Sequence, residues 1–259
     1  MSRRGRYIAI LLALTSTTML TGCNKPSTRM SGGSDITTAS MAPVSLQAIS
    51  ELGKKWEADP ASVPKGLAYA NALESIGKSD QQLNVYEQLY ERNMGNGKLA
   101  GLYGRKLVAA GRSADAVPVL EAATASKDAD WRTYSALGTA YDQQGLYPKA
   151  RAEYDKALKS DPDNLSIMNN IGMSYALEGN LKQAEIILRE ADLRPRSKSE
   201  PRIRQNLALV VGLQGRFDEA SNLAKEDLPP DQVEANMAYL KSMLSQPNTW
   251  QQISEGGKG

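Results

Sequence analysis

The sequence predicts an all-α protein, an α-solenoid of about five helix-turn-helix repeats with a half repeat before them and a capping helix after them. Two observations predict this fold. The first is that a glycine preceded by apolar residues recurs along the chain, and the second is that these glycines are regularly spaced. The glycines are separated by 34 residues three times and by 36 once, at Gly77, Gly111, Gly145, Gly179 and Gly215. A fixed period of this length is typical of stacked copies of one supersecondary unit, which serve binding more often than catalysis.

The residues around each glycine predict the two helices of the unit. Apolar residues lie eight positions before each glycine, at Tyr69, Tyr103, Leu137, Ile171 and Leu207, and four positions before it, at Leu73, Leu107, Tyr141, Tyr175 and Val211. Positions four apart share one face of a helix. Glycine then ends that helix because it adopts the left-handed conformation without a Cβ penalty. Each unit is therefore helix A, a tight turn and helix B.

The third unit resembles a tetratricopeptide repeat. The resemblance rests on Leu137-Gly138, Tyr141, Ala150, Tyr154, Ala157 and Pro162. In that register the repeats are 63–96, 97–130, 131–164, 165–198 and 201–234. A half repeat is expected at 45–62, with Ser45 as a helix N-cap, and a cap at 231–245, within a domain of 45–245. The alternative is an ordinary helical bundle with chance periodicity.

The first 22 residues form a predicted lipoprotein signal peptide. Arg3, Arg4 and Arg6 precede a short apolar run at 7–14, too short to span a bilayer. The tetrad LTGC ending at Cys23 resembles a bacterial lipobox. That resemblance implies cleavage before Cys23, a diacylglycerol on its sulfur and an N-acyl chain such as palmitate on its amine. With Asn24 next, it implies an outer-membrane anchor facing the periplasm. The alternative is a free or buried thiol.

Composition narrows the partners. Without residues 1–22 the chain has 28 basic and 29 acidic residues, so it lacks the positive footprint of a nucleic-acid binder. Residues 23–44 are expected to be the lipidated cysteine and a flexible linker, and 246–259 a disordered tail. The partners still expected are a protein and a membrane, which the chain would contact through its lipid anchor.

Catalytic chemistry is not indicated. The chain has no histidine and one cysteine, and it contains no P-loop motif. We therefore expect no enzyme, no metal, no cofactor beyond the covalent lipid and no small-molecule substrate. A serine–lysine hydrolase is left open, although nothing in the sequence positions such a pair.

In the repeat family, A helices line the concave face and bind peptides. In this register the candidate peptide-binding residues are Asn71, Arg105, Arg132, Asp142, Asn169, Asn170, Arg202, Gln205 and Asn206. Amides suit an extended backbone, and arginines suit a carboxylate. The alternative is that these residues are merely solvated. A second candidate is the basic connector, which we define as residues 194–204. It holds the two-residue insertion Ser199-Glu200 among five cations, with a plain solvated loop as the alternative.

The stretch 52–86 is similar to the start of tight-adherence (Tad, or Flp) pilus assembly lipoproteins of the TadD type. The residues that carry the resemblance are Trp56, Asp59-Pro60, Leu67-Ala68-Tyr69-Ala70, Leu73, Gly77, Gln82 and Tyr86. The resemblance implies an outer-membrane pilotin or scaffold that aids assembly of the pilus secretin. The alternatives are a type IV pilus pilotin, an outer-membrane protein assembly factor, or a regulatory subunit of a cell-wall enzyme.

Overall fold

The computed structural model describes residues 45–245, and this range forms twelve α-helices without a strand. The predicted all-α solenoid is therefore confirmed. The A helices are α2 (Val63–Ser75), α4 (Gly97–Ala109), α6 (Trp131–Gln143), α8 (Leu165–Glu178) and α10 (Pro201–Leu213). The B helices are α3 (Ser79–Arg92), α5 (Ser113–Thr124), α7 (Tyr147–Ser160), α9 (Leu181–Asp192) and α11 (Phe217–Ala224). Helix α1 (Leu46–Glu57) precedes them and α12 (Pro230–Ser245) follows. The predicted signal peptide, linker and tail lie outside the described residues.

All five repeat glycines adopt the predicted left-handed conformation, with φ between 71° and 95°. In the third repeat the Gly145 N–H donates to the Asp142 carbonyl at 2.9 Å, and the Leu146 N–H donates to the Tyr141 carbonyl at 2.9 Å. The same pair of bonds closes the A helix in the other four repeats. This Schellman arrangement satisfies carbonyls at the helix end and reverses the chain within three residues.

A second set of glycines lets helix B lie directly on helix A. A Cβ on Gly138 would lie 2.6 Å from the Tyr154 ring, and a Cβ on Gly172 would lie 2.7 Å from Leu188. Gly104 meets Leu120 in the same way. Side chains of helix B therefore occupy the space that a larger residue on helix A would need. The two helices are closely packed at these glycines.

Both ends of the repeat stack are covered. At the first end, Ser45 caps α1 by accepting the Ala48 N–H at 3.1 Å. Trp56 of α1 is buried and packs on Tyr69 with 5.8 Å between ring centroids. At the other end, α12 buries three apolar residues against the last repeat, Val233, Met237 and Leu240. Terminal helices of this kind shield the apolar face that a repeat stack leaves open.

The two extra residues between the fourth and fifth repeats lie at the end of a short 3-10 helix, Pro195–Ser199, and directly after it. Ser197 is buried there, and its hydroxyl donates to the Asp192 carbonyl at 2.5 Å. The Glu200 N–H donates to the Ser197 carbonyl at 2.8 Å. The insertion is thus folded back on the end of α9, and α10 begins directly after it.

Gly145→Val tests whether the left-handed turn is required. A side chain at Gly145 would meet nothing closer than 4.0 Å, so its cost is conformational rather than steric. We expect Gly145→Val to lower the free energy of unfolding by about 1–2 kcal/mol or more. Gly145→Asn is the control, since asparagine tolerates this conformation better. Urea unfolding followed by circular dichroism measures both, and equal stabilities would contradict the role given to the turn.

Candidate protein-binding groove

The A helices of the second to fifth repeats form one continuous layer. Helices α4, α6 and α8 each contact the next A helix along the chain, whereas no B helix in residues 45–245 makes a comparable contact with the next B helix. Gly101 allows a close approach, since a Cβ there would lie 3.0 Å from the Thr133 hydroxyl oxygen. The A helices are therefore the inner layer of the stack, and side chains along it face one shared surface.

An open groove of about 350 Å³ lies between α4 and α6 on this surface. Its apolar lining includes Val108, Ala109, Trp131 and Ala136, and its polar lining includes Arg105, Arg132, Ser135 and Thr139. The groove residues of α4 lie in the last two turns of that helix, and the groove residues of α6 lie in the first three turns of that helix. We call this feature the α4–α6 groove. An apolar floor with a few convergent polar groups is the usual composition of a ligand site.

Arg132 is held in place but keeps free donors. Its guanidinium carbon lies 4.4 Å from the centroid of the Trp131 ring, and its Nη1 lies 3.7 Å from Asp130 Oδ2. Asp130 caps α6 through its other oxygen, which accepts the Thr133 N–H at 2.9 Å and the Thr133 hydroxyl at 2.8 Å. The ion pair is thus long and exposed, so it orients Arg132 without satisfying it.

Arg105 lies on the other side of the groove and is half-buried. It has no ion pair within 4.0 Å among residues 45–245. Its charge is nevertheless felt across the groove. Burial would raise the pKa of Asp130, but the Thr133 hydrogen bonds and the charges of Arg105 and Arg132 lower it overall. The two arginines therefore give the groove a positive potential above its apolar floor.

Comparison with known families agrees with this geometry. Two overlapping stretches, 102–164 and 135–200, match the tetratricopeptide repeat family. Together the two stretches span residues 102–200. They include most of α4 and all of α6, and so every residue that lines the groove. No curated protein sequence matches the chain.

Solved tetratricopeptide-repeat structures share the fold. TTC0263 from Thermus thermophilus superposes with a TM-score of 0.57 at 22% identity, covering 70% of this chain and 100% of that one. MamA from Desulfovibrio magneticus RS-1 gives 0.53 at 22% identity, covering 58% of this chain and 85% of that one. YrrB, described as having an unusual peptide-binding site, gives 0.53 at 16% identity, covering 75% of this chain and 100% of that one. Identities this low establish the fold alone.

Three predicted binding residues are engaged inside the repeat stack. Asp142, Asn169 and Asn206 are each only 6% exposed. The Asn206 amide donates to Asn169 Oδ1 at 2.7 Å, which joins α8 to α10. In this structure the three side chains therefore bond protein groups rather than face an open groove. Peptide binding by them stays a prediction that would need them to exchange these bonds.

Asp142 sits at the centre of a buried polar cluster. It accepts hydrogen bonds from the Tyr154 hydroxyl at 2.8 Å and from the Ser174 hydroxyl at 2.7 Å, linking α6 to α7 and α8. Thr139, on the groove side, lies 3.2 Å from the same Tyr154 oxygen. Burial raises the pKa of Asp142 to about 6, although the Ser174 and Tyr154 bonds act to lower it. The cluster supports the groove from behind.

The other predicted residues are spread along the inner layer. Asn170 is half-buried and donates to Ser135 Oγ at 3.3 Å, so it reaches the edge of the α4–α6 groove from α8. Asn71 and Arg202 are exposed and Gln205 is half-buried, and none of the three lines that groove. Of the nine candidates the structure thus brings Arg105, Arg132 and Asn170 together.

Two of the five cations of the basic connector, Arg194 and Arg204, are ion-paired. Arg194 pairs with Asp163 at 2.9 Å and with Glu190 at 3.0 Å. Arg204 is buried and pairs with three carboxylates, Asp192, Glu226 and Asp227. Arg196 lines a cleft of about 150 Å³ that also contains three acids, Asp161, Asp163 and Glu200. The connector is therefore a mixed surface rather than a cationic patch, which favours the solvated loop.

Trp131, Val108 and Ala136 were not predicted as site residues. Trp131 is the first residue of α6. The available signal was its position directly before Arg132, which was a predicted site residue. Within residues 45–245, no cluster of three or more acidic, histidine or cysteine side chains could hold a metal. No helix of that range has the length and hydropathy of a membrane span.

Asp142→Asn should change how stability depends on pH. The pKa of Asp142 in the folded protein, about 6, lies above its ordinary value of 3.8, so the folded state binds the proton more tightly than the unfolded chain. The stability due to this group is full below about pH 4 and is lost as the pH rises through about 6. The amide that replaces the carboxyl cannot ionise. The free energy of unfolding of the variant should therefore rise relative to that of the wild type between about pH 4 and about pH 7, by at most about 3 kcal/mol.

Thermal unfolding across that pH range measures the difference between the two proteins. Asp155→Asn is the matched control, because Asp155 is exposed on the neighbouring helix α7. It removes a carboxylate from an exposed position, so it measures the effect of the charge change alone. A difference for Asp142→Asn no larger than that of the control across the pH range would show that the Asp142 carboxyl is not desolvated.

Proposed function

We propose that this protein is an outer-membrane lipoprotein that scaffolds a tight-adherence pilus assembly system and helps its secretin to assemble. The repeats themselves are a protein–protein interaction scaffold, as their family and structural neighbours support. The observation that supports the scaffold role is the open α4–α6 groove, an apolar and cationic surface on the inner layer. YrrB shows that this fold can hold a peptide-binding site.

The pilus role rests on two sequence resemblances. The stretch 52–86 is similar to the tight-adherence pilus lipoproteins, and LTGC at 20–23 is similar to a lipobox. Under this proposal Cys23 carries the acyl chains, and the linker 24–44 separates the repeats from the membrane by roughly 25 Å on average. The repeats then face the periplasm, where secretin subunits pass on their way to the outer membrane.

Cys23→Ala should remove the anchor. Each buried CH₂ contributes about 0.8 kcal/mol, so several acyl chains hold a protein on a bilayer stably. We expect wild type and the control Ser27→Ala to incorporate labelled palmitate and to fractionate with outer membranes. Cys23→Ala should incorporate none, and it should be released or remain an unprocessed precursor. Palmitate retained on Cys23→Ala would contradict lipidation at this residue.

Deleting the gene should lower the amount of detergent-resistant secretin multimer and abolish surface pili. Immunoblots of outer membranes and electron microscopy of cells measure the two effects. Complementation with the wild-type gene should restore both, whereas Cys23→Ala should restore neither. Normal piliation with loss of another outer-membrane complex would instead favour one of the other envelope-assembly roles. A secretin gene beside this gene would support the tight-adherence pilus role.

A further inference from the structure

Charge is distributed unequally between the two helix layers. In the second to fifth repeats the A helices carry two acids, Asp142 and Glu178, and six cations, Lys98, Arg105, Lys106, Arg132, Arg202 and Arg204. The B helices of the same repeats carry nine acids and six cations. The inner layer is therefore net positive and the outer layer net negative, in a chain whose total charge is close to zero.

Most of the inner-layer positive charge is not neutralised within the layer. Both acids are already engaged, since Asp142 is buried and Glu178 pairs with Arg151 at 2.9 Å. Two cations are engaged as well, because Lys106 pairs with Glu74 at 2.5 Å and Arg204 is buried among carboxylates. Four cations are left for a partner, Lys98, Arg105, Arg132 and Arg202, of which Arg132 has only the long contact with Asp130. Two of these four, Arg105 and Arg132, line the α4–α6 groove.

We propose that the α4–α6 groove binds an acidic, extended segment of the partner protein that also presents an apolar side chain. This specifies the partner in the proposed function and rests on it. Arg105 and Arg132 bind carboxylates, and the apolar side chain packs on Trp131, Val108 and Ala136. Guanidinium groups offer paired donors that match a carboxylate, so each contact gives orientation as well as energy. Lys98 and Arg202 extend the positive potential along the same layer.

The geometry favours a protein segment over other anions. The groove lies on the inner layer between two adjacent A helices, and its floor includes an indole and aliphatic side chains. A planar bilayer cannot follow a groove between helices. A nucleic acid would need a denser row of cations along its phosphates than four in four repeats. A volume of about 350 Å³ is large enough for a few side chains of a peptide.

The test uses the acylated full-length protein in detergent and fluorescent twelve-residue peptides. The first peptide is rich in glutamate and contains one phenylalanine, the second has glutamine for every glutamate, and the third has glycine for the phenylalanine. Fluorescence anisotropy measures affinity. We expect the first peptide to bind about tenfold more tightly than either of the others. Its binding should weaken between about 50 and about 300 mM salt.

The decisive variant is Arg105→Gln with Arg132→Gln, which should weaken binding of the first peptide about tenfold or more. The matched control is Lys159→Gln with Lys182→Gln, which removes the same charge from exposed positions on B helices and should change affinity less than about twofold. Trp131→Ala should remove the preference for phenylalanine. Circular dichroism should show equal melting temperatures for the two double variants.

Three results would overturn the inference. The first is equal affinity for the glutamate and glutamine peptides, and the second is equal loss in the two double variants. The third is binding to phosphatidylglycerol vesicles, but not to the peptides, that depends on the two arginines. A different result would contradict the pilus proposal, namely normal secretin and pili in the deletion strain. Selective binding of the acidic peptide would then indicate that the groove binds a different acidic partner.

Discussion

The left-handed glycine at the end of each A helix is the constraint on which the rest of the structure depends. With φ between 71° and 95°, it reverses the chain within three residues and sets helix B against helix A at van der Waals contact. Because the reversal is the same in every repeat, the A helices all fall in one layer. A single helix pair would leave its apolar face in water, so the layer is stable only as a stack. The groove exists because two successive turns place α4 and α6 side by side.

Polar side chains then set the spacing within that layer. The Gln143 amide donates to the Val108 carbonyl at 3.1 Å, Ser174 reaches Asp142, and Asn206 reaches Asn169. Each of these bonds joins an A helix to the A helix of the next repeat. Buried hydrogen-bonding groups have a large cost when they are left unpaired, so they resist sliding of one repeat over another. Of these three bonds, the one from Gln143 to Val108 joins α4 to α6, so Gln143, which does not line the α4–α6 groove, helps to set its width.

The sequence predicted the fold well because the signals for it are local and repeated. The glycine equivalent to Gly145 marks a turn in every repeat, and Gly138 marks a close contact between helices A and B. The site was predicted less well for a related reason. Asn169 and Asn170 are neighbours of the same residue type, yet one is buried against α10 and the other reaches the groove edge. Their difference depends on the distance and angle between repeats, which no single repeat encodes. Gln82 stands where the other four repeats have alanine. It is buried and donates to Glu74 of its own repeat at 3.0 Å.

The two layers also differ in how their charges are used. On the outer layer Arg216 lies between Glu185, at 2.7 Å, and Glu219, at 2.5 Å, and Arg189 joins both acids. Hydrogen bonds from Arg216, acting against burial, lower the pKa of Glu185 to about 2. Exposed pairs of this kind contribute little to stability. Their consequence is that outer-layer charges are largely satisfied within the protein, whereas Arg105 and Arg132 on the inner layer are not. Since a cation that already has a close partner gains little from a new one, the layer whose arginines lack one is the layer suited to recognise an acidic ligand.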